Sequence, residues 1–218
     1  MDYSYLLLII VTLVMGLSAS GYMKRQLSKY SKVPISSGLS GVEAAQQMLN
    51  FYNLPHVTIK QGKEGEDHYD PRSRSVSLSP SYYDGRSVTA VAVAYHEVAH
   101  ACQHAEKYMP MQVRSGIFPV VNIASNAWMF LLLAGIILNF AGLITLAIIF
   151  YACAVVFQIV TLPVEFNASR RALDYMNMTG VSSEEKRGAS SVLRACALTY
   201  VAAALTSILQ LLWLLSRR

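Results

Sequence analysis

The sequence predicts a mainly α-helical protein that crosses a membrane four times and carries a small α+β part on the cytoplasmic side. Of its 218 residues, 54% are hydrophobic and 14% are charged, a balance typical of membrane proteins rather than soluble domains. Long apolar runs alternate with polar segments that contain helix and strand patterns. The net charge of +5 does not indicate nucleic-acid binding, because the basic residues are dispersed and are not interleaved with aromatic ones.

The apolar runs divide the chain into five predicted segments. These are a transmembrane anchor (1–23), a soluble part (24–116), a transmembrane hairpin (117–162), a juxtamembrane segment (163–191) and a fourth transmembrane helix with its tail (192–218). The hairpin is expected to consist of two helices that meet at a turn containing Asn139, the only turn signal in a long apolar stretch.

The first apolar run is interpreted as a retained anchor. It is preceded by Asp2 and followed by Lys24 and Arg25. A signal peptide has the opposite order, with its positive charge in front of the apolar run.

The soluble part shows both helix and strand patterns. Ser40 and Glu43 form a capping-box pattern in front of apolar residues at helical spacing, which predicts a helix over 40–52. Residues 57–59 are predicted to be a short strand, and the polar stretch 62–71 a loop or hairpin turn.

A second strand is predicted over residues 74–79, where polar and apolar residues alternate. It comes shortly before the helix described next. One interpretation is an edge strand that pairs with an extended peptide. The other is an ordinary half-buried strand.

The motif H-E-x-x-H stands in a predicted helix over residues 87–108, which Ser87 can cap. His96 and His100 are four residues apart and therefore lie on one helix face, where both imidazoles can bind one metal ion. Zn²⁺ suits this pair together with a carboxylate, and Glu97 stands beside them as a candidate general base. The alternative is a helix with two surface histidines.

His104 is a further histidine of the same helix. It follows His96 by eight residues, which corresponds to about 12 Å along the axis. Since zinc–ligand bonds are about 2 Å long, one ion cannot bind both while the helix stays straight. His104 is therefore predicted to be either a structural residue or one that supports a metal ligand without touching the ion.

Glu165 is the predicted third metal ligand. It follows Pro163, just after the hairpin, and a hairpin that leaves and re-enters one side returns Glu165 to the side of His96 and His100. The alternative is a juxtamembrane salt bridge from Glu165 to Arg170 or Arg171.

The distribution of charge predicts a multi-pass protein of the cell membrane with its metal site in the cytoplasm. All lysines and arginines except Arg217 and Arg218 lie in residues 24–114 and 170–194, and positive loops stay cytoplasmic. The three cysteines are far apart and form no disulfide framework, which suits a reducing compartment.

Three segments together resemble the YugP-type neutral zinc metallopeptidases of prokaryotic membranes. They are H-E-V-A-H-A-C-Q-H at 96–104, L-P-V-E-F-N-A-S-R-R-A-L at 162–173 and D-H-Y-D-P at 67–71. The resemblance extends from the first anchor to about Met178. It implies a membrane-bound gluzincin with a zincin-like metallopeptidase domain.

The resemblance also implies roles for individual residues. His96, His100 and Glu165 would be the zinc ligands, with Glu97 as the base. It further implies an aspartate where this chain has Asn167. If that carboxylate orients a ligand histidine, there are two possibilities for Asn167. Either it weakens metal binding, or its carbonyl oxygen does what the aspartate would do.

The function expected from the sequence is zinc-dependent hydrolysis of peptide bonds in membrane or juxtamembrane proteins, with Glu97 as general base. The expected partners are the protein or peptide substrate and the lipid bilayer. The oxyanion donor stays open among five residues, Tyr82, Tyr83, Asn167, Arg170 and Arg171. A homo-oligomer or a membrane partner protein is also left open.

Two other functions are less consistent with the sequence. A zinc-binding membrane scaffold or regulator without proteolytic activity is disfavoured because structural zinc sites usually have four protein ligands. A transporter is disfavoured because the spans lack buried charged residues.

Overall fold

The computed structural model describes residues 3–216 and confirms a mainly helical chain with one small sheet. Along these residues the elements are α1 (Tyr3–Tyr30), α2 (Gly41–Phe51), β1 (Thr58–Gln61), β2 (His68–Asp70), β3 (Ser75–Leu78), α3 (Pro80–Tyr83), α4 (Val88–Ala105), α5 (Met109–Ile137), α6 (Ala141–Met178) and α7 (Ser183–Ser216).

Four helices, α1, α5, α6 and α7, are long and apolar enough to cross a membrane, as the sequence predicts. The shortest has 28 residues and the longest 38. At 1.5 Å per residue these lengths exceed the roughly 30 Å of a bilayer core. Each helix therefore extends beyond its apolar run. In particular, α6 continues through Pro163, so Glu165 stands on the same helix as the second arm of the hairpin.

The chain forms two compact units. A helix-only unit consists of the described residues within 1–20, 109–163 and 199–218, and a mixed unit consists of 21–108 and 164–198. Helices α1, α6 and α7 each contribute residues to both.

In the helix-only unit, α5 and α6 form the predicted hairpin. Its turn contains Asn139, which has a positive φ of 50°, a conformation that asparagine adopts more readily than most residues. The Tyr151 ring lies 4.6 Å from the Trp128 ring, and its hydroxyl donates to Gln210 over 3.2 Å. Aromatic packing and a hydrogen bond thus join three helices of this unit.

The sheet of the mixed unit has the order β1-β3-β2. β1 runs parallel to β3 with Ile59 opposite Val76, and β2 runs antiparallel with Tyr69 opposite Val76. The strand predicted over residues 74–79 is present as β3, but its interpretation as an edge strand was wrong. Strand β2 lies within the stretch 62–71, predicted to be a loop or hairpin turn, and pairs with the other side of β3. As a central strand, β3 buries both Val76 and Leu78 completely.

The core of the mixed unit surrounds α4, which is buried along almost its whole length. A helix that is apolar on every side is stable only when other elements cover it. Helix α2 packs on α4 and begins with the predicted capping box of Ser40 and Glu43. On α6, Ala168 and Ala172 are almost completely buried in the same core.

Glu185 connects the start of α7 to Ser36, which lies between α1 and α2. It is 6% exposed, and its carboxylate accepts hydrogen bonds from the backbone and hydroxyl of Ser36 and from the backbone of Ser182. Replacing Glu185 with alanine removes these hydrogen bonds to a charged carboxylate, so we expect a loss of about 1–3 kcal/mol in the free energy of unfolding. Thermal unfolding of both variants and of the wild type in detergent measures this loss of stability. Glu184→Ala, an exposed neighbour, is the control, and equal melting temperatures for both variants would contradict the assignment.

Candidate metal centre

Helix α4 presents two histidines on one face. It begins at its predicted cap, where the Ser87 hydroxyl accepts a hydrogen bond from the Ala90 backbone over 3.2 Å. His96 and His100 follow one turn apart, with ring centroids separated by 4.8 Å and ring planes at 85°. His100 is buried, and the His96 side chain is 13% exposed.

Glu165 of α6 meets both rings. Its Oε2 lies 3.3 Å from Nε2 of His96 and 3.7 Å from Nε2 of His100. Glu165 is 3% exposed, so this carboxylate is removed from bulk solvent. The predicted trio is thereby brought together, with donor atoms all within 4.8 Å of one another. The alternative partners lie elsewhere, since Arg170 pairs with Asp174 and Arg171 with Glu106.

Two of the three distances between donor atoms are close to those around a tetrahedral ion. Donors that lie 2.0–2.1 Å from a tetrahedral centre are about 3.3 Å apart, and the two nitrogen–oxygen distances are 3.3 and 3.7 Å. Two neutral imidazoles and one carboxylate form a donor set that Zn²⁺ prefers. The three residues present therefore fit zinc and leave a fourth position.

Glu97 is buried beside this group, with 8% of its surface exposed. Burial by itself lowers the pKa of His100. The hydrogen bond to Glu165 and the charges of Glu97 and Glu165 outweigh that effect and hold the pKa above its usual value. Glu97 is thus close enough to act electrostatically on the site.

The hydrogen bonds on the other ring nitrogens determine which nitrogens face the centre. Nδ1 of His96 lies 3.3 Å from the Ser169 hydroxyl, and Nδ1 of His100 lies 2.9 Å from Oε1 of Gln103. Since Gln103 offers an acceptor there, Nδ1 of His100 donates to it, and Nε2 is the nitrogen that is turned toward Glu165 and available to a metal ion. This is the arrangement that a metal-binding histidine needs.

Gln103 is completely buried, and its amide orientation is fixed by two acceptors. Its Nε2 donates to the Val164 carbonyl and to Oδ1 of Asn167, each over 2.9 Å. The oxygen of the amide must therefore point at His100. Sequence analysis missed Gln103, although its spacing of three residues from His100 places both on one helix face.

Asn167 joins Gln103 to an ion pair at the edge of the site. Its Oδ1 accepts from Nε of Arg171 over 2.8 Å, and Arg171 makes two further bonds of 2.7 Å to Glu106. The carbonyl oxygen of Asn167 thus accepts from Gln103, which in turn contacts His100, so its link to a ligand histidine runs through Gln103.

His104 does not belong to the trio. Its Nδ1 lies 2.8 Å from the Tyr69 hydroxyl, which connects α4 to strand β2 and agrees with the predicted structural role.

Among the candidate oxyanion donors, Tyr82 and Tyr83 stand on α3, which packs against α4. Burial raises the pKa of Tyr82 to about 12, so its hydroxyl stays protonated and able to donate.

Comparison with known proteins agrees with this geometry. The family model described as "Putative neutral zinc metallopeptidase" matches residues 5–218. A curated relative, "Putative membrane protease YugP" of Bacillus subtilis (strain 168), is 45% identical over 210 residues, which cover 95% of this chain and 93% of the relative. No solved structure matches the chain at a significant level. The chain therefore belongs to the family of neutral zinc metallopeptidases that this model describes.

Proposed function

We propose that the protein is a membrane-bound, zinc-dependent endopeptidase that hydrolyses peptide bonds of membrane proteins or of their juxtamembrane segments. The observation that carries this proposal is the convergence of two histidine Nε2 atoms on one carboxylate oxygen, at 3.3 and 3.7 Å, within a group of three donors that all lie within 4.8 Å of one another. Membership of the zinc metallopeptidase family supports it.

In this proposal, His96, His100 and Glu165 hold the zinc ion. When bound, zinc would polarise the scissile carbonyl and lower the pKa of a water molecule at the fourth position. The carboxylate of Glu97, which is buried beside the three ligands, would accept the proton of the attacking water and pass it to the leaving amine nitrogen. The burial of Glu97 and Glu165 excludes bulk water from these steps and so strengthens the electrostatic interactions.

The proposed substrates follow from the position of the site along the helices. Glu165 lies three residues after Leu162, where the predicted apolar run of the hairpin ends, which is about 4.5 Å of helix. A peptide bond must therefore come close to the membrane surface to reach this carboxylate. The basic residues on the segments that hold the site support a cytoplasmic position for this surface.

Zinc removal tests the proposal as a whole. The purified full-length protein in detergent is expected to contain about one zinc per chain and to cleave fluorescently labelled casein. Treatment with 1,10-phenanthroline should abolish both properties, and added Zn²⁺ should restore them. A protein that holds zinc but cleaves neither casein nor a membrane-protein digest would contradict the proposal and favour the scaffold function.

Gln103 is expected to control zinc affinity without touching the ion. Gln103→Leu removes the acceptor from Nδ1 of His100, and we expect the zinc dissociation constant to rise about 10- to 100-fold. Isothermal titration calorimetry or competition with a zinc dye measures this constant.

Asn167→Asp provides the matched control. An aspartate keeps the oxygen that accepts from Gln103 and Arg171, so its zinc affinity should stay within about threefold of the wild type, well below the effect of losing the partner. A Gln103→Leu variant with unchanged affinity would show that the hydrogen bond does not orient the ligand.

A further inference from the structure

A cavity of about 520 Å³ lies within the mixed unit, between α6 and α7. Helices α6 and α7 are joined by a four-residue connection, 179–182, which makes them antiparallel neighbours. The cavity is lined by residues 166–177 of α6 and 193–198 of α7. On α6 this span corresponds to about 16 Å of helix.

One end of this cavity is apolar. Phe166, Ala197 and Leu198 line it there, and Phe166 and Leu198 are 49% and 47% exposed. Phe166 follows the apolar run of α6 by one helical turn, and Leu198 stands inside the apolar run that completes α7. The apolar end is therefore the end nearer to the predicted hydrocarbon region.

Farther from the apolar runs, the cavity is lined by charged side chains together with Leu173 and Leu193. Because the helices are antiparallel, Arg170 and Arg194 lie one turn farther from the apolar runs than Phe166 and Leu198. Asp174 also lines the cavity, so two guanidinium groups face one carboxylate. The pair of Arg170 and Asp174 is exposed and 3.7 Å long, hence weak and open to rearrangement. Arg194 has no ion pair among residues 3–216.

We propose that this cavity binds an anionic phospholipid, with an acyl chain against Phe166, Ala197 and Leu198 and the phosphate between Arg170 and Arg194. Two arginines match a phosphate in charge and in hydrogen-bond geometry. Both arginines lie farther from the apolar runs than Phe166 and Leu198, so a lipid of the cytoplasmic leaflet would bring its phosphate beside them. This inference needs the helices to cross the membrane, but it does not need the metal site to be active.

The lipid would lie close to the metal centre. Ser169 lines the cavity, and its hydroxyl lies 3.3 Å from Nδ1 of His96. A bound lipid would therefore be separated from a candidate metal ligand by one serine side chain.

Native mass spectrometry of the full-length protein tests this site. The protein in detergent is titrated with dioleoylphosphatidylglycerol or dioleoylphosphatidylcholine. We expect one tightly retained phosphatidylglycerol per chain, with a preference of about 10- to 30-fold over phosphatidylcholine from two arginines near the phosphate. Arg170→Gln combined with Arg194→Gln should remove this preference.

Two single variants sharpen the result. Arg187→Gln changes an exposed arginine of α7 that does not line the cavity, and it should keep the preference. Leu198→Gln alters only the apolar end and should weaken retention of the lipid. An equal preference in the wild type and the double variant would overturn the proposal.

Competition arms distinguish other occupants. Inorganic phosphate at 10-fold excess over lipid should leave the lipid bound, because it lacks the acyl chain. Displacement of the lipid by phosphate alone would overturn the proposal and indicate a site for a free anion. Displacement by an acidic peptide at the same excess would overturn it in favour of a peptide site.

Discussion

Replacement of Glu97 by glutamine is expected to abolish peptide hydrolysis while zinc stays bound. Glutamine has nearly the same shape as glutamate but cannot take a proton from water, so general-base catalysis worth about 10²- to 10⁴-fold is lost. Casein cleavage and zinc content are measured on the same preparation. Glu97 is not one of the three residues whose donor atoms converge, so zinc content should stay at the wild-type level.

Glu66→Gln is the matched control for Glu97→Gln. Glu66 is exposed in the loop before β2, and its carboxylate lies 4.0 Å from the ammonium group of Lys63. Its replacement should therefore change neither zinc content nor cleavage. Retained cleavage in Glu97→Gln would remove Glu97 from the mechanism. Loss of zinc together with activity would assign it a role in metal binding instead.

Replacement of Glu165 by alanine is expected to remove zinc itself. Glu165 supplies the only carboxylate in the group of three. Loss of a direct ligand should raise the zinc dissociation constant by more than the roughly 100-fold that loss of a ligand-orienting partner can cost. Zinc content after dialysis, measured by inductively coupled plasma mass spectrometry, should fall to background, and cleavage should disappear with it.

Asp174→Ala serves as the control for Glu165→Ala. It removes a carboxylate from the same helix, but one that is 55% exposed and pairs only with Arg170 among the residues described. Zinc content should stay at the wild-type level there. If Glu165→Ala held as much zinc as Asp174→Ala, Glu165 would not be a ligand, however close it lies to both rings.

The helix that carries the metal site could be predicted from the sequence because its signals are local. The Ser87 cap and the four-residue spacing of His96 and His100 follow from helix geometry alone. Glu165 lies 69 positions from His96, yet it could be inferred, because the intervening hairpin must return the chain to the side from which it left. The position of Glu165 was therefore predicted from the path of the chain across the membrane and not from a local sequence pattern.

Other features depend on contacts that no local pattern records. Strand β2 has only three residues, and they lie in a stretch rich in glycine and charge. Pairing with β3, rather than local propensity, makes it a strand. The connection from Gln103 to Asn167 joins positions 64 apart. Its existence depends on how closely α4 approaches α6, which the small buried side chain of Ala168 permits.

The central claim is that one zinc ion is held by His96, His100 and Glu165. X-ray absorption at the zinc edge on the purified protein tests it most directly, because the spectrum distinguishes nitrogen and oxygen ligands from sulfur. We predict ligands only at about 2.0–2.2 Å, with the multiple-scattering signature of two imidazoles. A zinc–sulfur distance of about 2.3 Å, from Cys102 or Cys196, or a signature of fewer than two imidazoles would contradict it.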